Sequence, residues 1–180
     1  MATEAHTPKG RGYDTSLFYF HHDNDYWTER VRASDAQQLC PGQDHQLVDL
    51  WNDAQPGLGL NNTADICGLP PHKNGSTPLP YPVTADGKPN LACTYEDDLF
   101  LHRVLSTIQT HDPATPLFFF WAAHTIHAPL QVPKLWYDRF EHVDDAPRRK
   151  YLAMVNWLDT AVNNVTDLLK SKQMYLLREK

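Results

Sequence analysis

The sequence predicts an α/β fold, and three observations carry that reading. Pro116-Leu117-Phe118-Phe119-Phe120-Trp121 is a short, continuous apolar run that gives way to polar residues at His124 and His127. Such a run is the pattern of a strand buried on both faces. Before it, Leu101, Val104, Leu105 and Ile108 recur at helical spacing. After it, Leu152, Val155, Leu158, Val162, Val165 and Leu169 step by three or four and form an amphipathic stripe. Helix, buried strand and long helix in succession argue for α/β architecture.

Taken in order, residues 1–15 are polar and loop-like, and Leu17 to Phe20 is a short aromatic strand. Residues 33–46 lack a clear period, and Leu47 to Trp51 reads as a second short strand. Residues 52–92, rich in Pro, Gly, Asn and Asp, read as a long irregular excursion. Thr94 with Asp97 resembles a capping box, with Asp where Glu or Gln is usual, and opens a helix reaching about Gln109. A strand over 117–122 follows, then a short helix over Lys134–Phe140 after Pro133. Pro147 suits the first turn of the long helix, which runs to about Lys172. An α/β sheet normally continues with another strand, so both ends of the chain read as cuts.

The net charge of -6 over 180 residues argues against a nucleic-acid surface, which needs clustered Lys and Arg. The one basic cluster, Arg148-Arg149-Lys150, follows Asp144-Asp145 and reads as the solvated start of a helix. No window approaches the ~18 apolar residues of a transmembrane helix, and the N-terminus lacks the apolar core of a signal peptide. Cys40, Cys67 and Cys93 form no C-x-x-C pair, which leaves a zinc ribbon or redox motif unsupported. Sequons at Asn61, Asn74 and Asn164 lean toward a glycoprotein of the secretory pathway.

Candidate chemistry centres on His124 and His127. Polar groups just past the carboxyl end of a buried strand lie where open α/β sheets bind ligands. Imidazole can ligate a metal, accept a proton or, when charged, hold an anion. The alternative is that one or both rings bond loop backbone. His21-His22-Asp23-Asn24-Asp25 has the start of a calcium loop, but Thr28 stands where an EF-hand needs glycine, so an Asx-rich turn is favoured. Gly10-Arg11-Gly12 reads as a tight turn rather than a phosphate cradle, and Asp97-Asp98 as a complement to a helix dipole. No G-x-S-x-G, Walker loop or H-E-x-x-H occurs.

Several segments in order carry a resemblance. They are Lys9-Gly10-Arg11-Gly12-Tyr13-Asp14-Thr15 with its aromatic strand, Leu47 to Trp51, and Pro116-Leu117-Phe118-Phe119 through His127-Ala128-Pro129-Leu130-Gln131-Val132-Pro133. Tyr151 to Val162 and Asn164-Val165-Thr166 complete the set. Together they resemble the sulfatase family, of the arylsulfatase B-like kind. The resemblance implies an alkaline-phosphatase-like sulfatase fold, with residues 1–180 the central part of one catalytic domain, truncated at both ends. It implies a sulfuric ester hydrolase acting on sulfate esters, with sulfated glycans among the substrates. Its nucleophile would be a formylglycine made from a Cys-x-Pro-x-Arg cysteine, and calcium would neutralise the sulfate oxygens. His127 maps to the histidine that contacts sulfate, and His124 stands behind it.

The chain departs from that pattern. Cys40, Cys67 and Cys93 are followed by Pro-Gly, Gly-Leu and Thr-Tyr, so no formylglycine motif is present, and the family's paired aspartates and Asp-Asn-Gly segment are absent. Nucleophile and calcium ligands are therefore expected outside these residues, with no metal ligand inside them. The longer protein would be lysosomal or secreted. The alternative is an inactive truncated product that at most binds sulfated ligands. A phosphoesterase of the same superfold would need a two-metal site, for which no ligand set is visible.

Overall fold

The computed structural model describes residues 3–20, 24–30, 48–53, 55–56, 67 and 79–175. They fall into two compact units, Met1–Glu96 and Asp97–Lys180.

In the first unit, two single-turn 3-10 helices, Glu4–His6 and Lys9–Arg11, lie back to back. Gly10 presses on the Glu4–Ala5 backbone so closely that a Cβ there would strike the Glu4 carbonyl. Gly12 ends the second turn at φ 98°, a conformation open to glycine. The expected tight turn is therefore what these glycines build. A small antiparallel sheet follows: β1 (Leu17–Phe18), β2 (Trp51–Asn52) and β3 (Gln55–Pro56), in that order. Phe18 stands opposite Trp51, and Trp51 opposite Pro56. The expected second strand starts later than the sequence implied. Val48 makes only an isolated bridge to Arg30, and Leu47 lies outside the described residues. Between that bridge and β2, the Asp49 carboxylate accepts the Phe20 N–H at 3.0 Å and the Trp51 indole N–H at 3.2 Å.

The core of this unit is aromatic. Tyr26 and Tyr95 are buried and stacked with ring centroids 5.3 Å apart, and the Trp27 indole donates to the Pro80 carbonyl at 3.0 Å. Buried aromatic groups with a polar tip need such partners. Asp25 accepts from the backbone N–H groups of Trp27 and Thr28, each at 3.0 Å, and so forms the expected Asx turn. Cys67 and Cys93 form a disulfide.

The second unit is helical. α1 (Glu96–Thr110) buries Phe100, Val104 and Ile108 at helical spacing. α2 (Lys134–Tyr137) passes into a 3-10 turn over Asp138–Phe140. α3 (Ala146–Ser171) has Pro147 in its first turn, and the Asp145 carboxylate caps it by accepting the Arg148 N–H at 2.7 Å. Past its end, Lys172 Nζ reaches the carbonyls of Gln109 and His111 at 2.5 and 2.7 Å, where α1 leaves acceptors open.

Two expectations are corrected here. The fully buried face of α3 is Lys150, Ala153, Met154, Trp157 and Ala161, not the stripe read from Leu152 to Leu169, whose Val162 is 48% exposed. Both rows obey the helical period. Small Ala153 and Ala161 beside the broad Trp157 allow close approach, so packing selected that row. The apolar run at 117–122 forms no strand: residues 116–124 have no regular structure, and Phe118 and Phe120 are 78% and 71% exposed. A strand buried on both faces needs a ladder on its edges, and no described segment pairs there.

Candidate functional site

Asp97 lies in the first turn of α1 and is fully buried. Its carboxylate turns away from the helix it begins. Oδ1 accepts the His124 backbone N–H at 3.1 Å, and Oδ2 accepts the Thr125 N–H at 2.7 Å and the Thr125 hydroxyl. Three donors to one carboxylate hold the start of the histidine turn. The capping-box bond expected of Asp97 thus gives way to longer-range ones, while Asp97 and Asp98 both stand in the first turn of α1.

The turn closes on itself through the His127 N–H donating to the His124 carbonyl at 3.0 Å. The Thr125–Ile126 and Ala128–Pro129 peptides are cis. Beyond the turn, Gln131 and Val132 are buried. His124 and His127 come together as the sequence expected, with ring centroids 6.1 Å apart and planes inclined by 29°. Their environments differ: His124 and Thr125 are buried, whereas His127 is exposed. His127 Nδ1 lies 2.7 Å from the Ala128 carbonyl oxygen. A carbonyl only accepts, so Nδ1 carries the proton. Nε2 then offers a lone pair on the neutral ring and an N–H donor on the charged one.

Burial is the largest influence on Asp97 and pushes its carboxyl up from the usual 3.8; the Thr125 hydroxyl, the charge of His124 and the two backbone N–H groups oppose it. Burial also raises the neighbouring Asp98 carboxyl, against the hydrogen bond from Trp157.

Among the described residues no group of three or more His, Cys, Asp or Glu could hold a metal ion. The Asp97 oxygens are already occupied by donors. The described residues therefore do not fit calcium. Asn164 lies exposed on α3; Asn61 and Asn74 lie outside the described residues. Sequence reasoning missed Asp97 and Thr125 as anchors of the turn. The only trace was the Asp97-Asp98 pair itself.

Compared with known proteins, residues 5–176 match the sulfatase family. The chain belongs to the sulfatase family. Arylsulfatase J of Mus musculus is 37% identical over 81 residues, which is 45% of this chain and 14% of the mouse protein. The solved structure of Ps i-CgsB in complex with k-i-k-neocarrahexaose superposes with a TM-score of 0.61 at 16% identity, covering 96% of this chain. A second crystal structure of Ps i-CgsB gives 0.60, also at 16% identity and 96% coverage. This sulfatase chain spans 32% of the length of those solved chains. It has the alkaline-phosphatase-like sulfatase fold in part.

Proposed function

We propose that residues 1–180 are part of one catalytic domain of a sulfuric ester hydrolase of the arylsulfatase type, with His127 contacting the sulfate. The observation that carries this reading is the sulfatase match over residues 5–176. The exposed position of His127 supports it, with the ring held at Nδ1 by the Ala128 carbonyl. A charged imidazole donates a charge-assisted hydrogen bond to an anionic oxygen. Formylglycine and calcium, by this proposal, come from residues beyond these 180. Calcium would act as a hard cation on sulfate oxygens.

Sulfated glycans are the proposed substrate class, and lysosomal or secreted the proposed location of the longer protein. The Cys67–Cys93 disulfide supports passage through an oxidising compartment, where such bonds persist. Exposed Asn164 is accessible to a glycan, and among the described residues no helix is long and apolar enough to cross a membrane.

Two measurements on the 180-residue chain test the reading. Aryl sulfate turnover should be undetectable, because the nucleophile is placed elsewhere; turnover would sink that placement. Inorganic sulfate should bind, and His127→Ala should weaken binding by about tenfold. Equal binding by the variant would remove His127 from the site.

A further inference from the structure

We propose that Asp97 is a positioning residue: by holding the His124–Thr125 backbone it fixes the turn that presents His127 with its Nδ1 bonded to the Ala128 carbonyl. This rests on the reading of His127 as the sulfate contact. The Asp97 side chain spends every observed bond on this one turn, receiving the N–H groups of His124 and Thr125 and the Thr125 hydroxyl. It sits on a regular 15-residue helix, so its own position is set by hydrogen bonds elsewhere. The turn has no ladder to brace it, since residues 116–124 carry no regular structure.

The chain of contacts from Asp97 to His127 is short. Asp97 fixes the His124 N–H, the His124 carbonyl accepts the His127 N–H at 3.0 Å, and the His127 ring donates to Ala128 at 2.7 Å. An exposed imidazole released from that last bond averages over rotamers and both tautomers. Holding the ring in one rotamer removes an ordering cost when its charged form binds an anion, and the tautomer of the neutral form reports whether the Ala128 bond is kept. An amide at position 97 keeps the shape of the carboxylate but replaces one acceptor oxygen with a donor, facing the donors of the turn.

The test compares the full chain with Asp97→Asn, and uses Asp98→Asn as a neighbouring control. Side-chain nitrogen NMR reads the His127 tautomer, and titration with inorganic sulfate reads binding. Asp97→Asn should move the two His127 ring-nitrogen shifts toward their averaged values and weaken sulfate binding about tenfold, while Asp98→Asn leaves His127 unchanged. A folded Asp97→Asn whose His127 shifts match the parent overturns the proposal. If Asp97→Asn does not fold, Thr125→Val removes the hydroxyl bond alone and should produce a smaller shift of the same sign. No shift there overturns the proposal equally. Absence of sulfate binding by the parent chain sinks the sulfate-contact reading, and the tautomer comparison still decides whether Asp97 positions His127.

Discussion

The indole nitrogen of Trp157 donates to the Asp98 carboxylate at 2.8 Å, joining the middle of α3 to the first turn of α1. Trp157 is 2% exposed, so its ring packs in the core while its one donor finds a charged acceptor. Asp97 and Asp98 are adjacent yet serve different neighbours, the histidine turn and the long helix.

Replacing Trp157 with Phe keeps most of the buried ring and removes the donor. A hydrogen bond to a charged group contributes about 1.5 kcal/mol. Thermal unfolding of Trp157→Phe should therefore fall by roughly 3–6 °C. An unchanged Tm would mean that the bond adds nothing to stability.

Asp98 sets a pH dependence. Burial raises its folded carboxyl above 3.8, so the folded state holds the proton more tightly than the unfolded chain. Its contribution is fully present below the unfolded value and is lost as pH rises through the raised folded value. As pH rises from below 3.8, Asp98→Asn should show a smaller loss of Tm than the parent. A larger loss would reverse the assigned direction.

Lys150 is buried in α3, and burial alone lowers its ammonium from 10.5. A lowered folded value means that keeping the charge inside costs stability at neutral pH and ceases to cost at high pH. Lys150→Met keeps a long flexible side chain without the charge. It should stabilise the chain by about 1 kcal/mol, seen as a higher denaturant midpoint with an unchanged slope.

The disulfide closes a span of 26 residues between Cys67 and Cys93. Loop-closure entropy for that span is worth about 3.5 kcal/mol. Cys93→Ser should lower Tm, and added reductant should lower the parent to a similar value while leaving the variant where it is. Equal melting of the oxidised and reduced parent would contradict this.

Phe118 and Phe120 stand exposed on a segment without regular structure, and no described strand pairs with it. Apolar side chains on an open edge promote association. Sedimentation of Phe120→Ser should show less self-association than the parent at equal concentration. Indistinguishable distributions would locate association elsewhere.

Much of the chain was legible from local pattern. The period of Leu101, Val104, Leu105 and Ile108 gave α1 away, Pro147 marked the first turn of α3, Asp25 its Asx turn, and Gly10 and Gly12 their tight turn. These rest on residues a few positions apart, where spacing and turn chemistry dictate conformation. The adjacency of His124 and His127 was legible for the same reason. The strand at 117–122 was not, because its apolar pattern presupposes paired neighbours that no described residue supplies.

By itself the sequence determined the helices, the tight turns, the two-histidine segment and membership of the sulfatase family. Tertiary structure alone decided that Asp97 reaches His124 across 27 positions, that Trp157 meets Asp98 across 59, and that Cys67 joins Cys93. It also decided which row of α3 is buried, since two rows fit the same period. Periodicity tells a residue which face of its element it occupies. Which distant group waits on that face depends on how elements pack, and there the burial of Asp97 made a helix-end carboxylate the anchor of a loop.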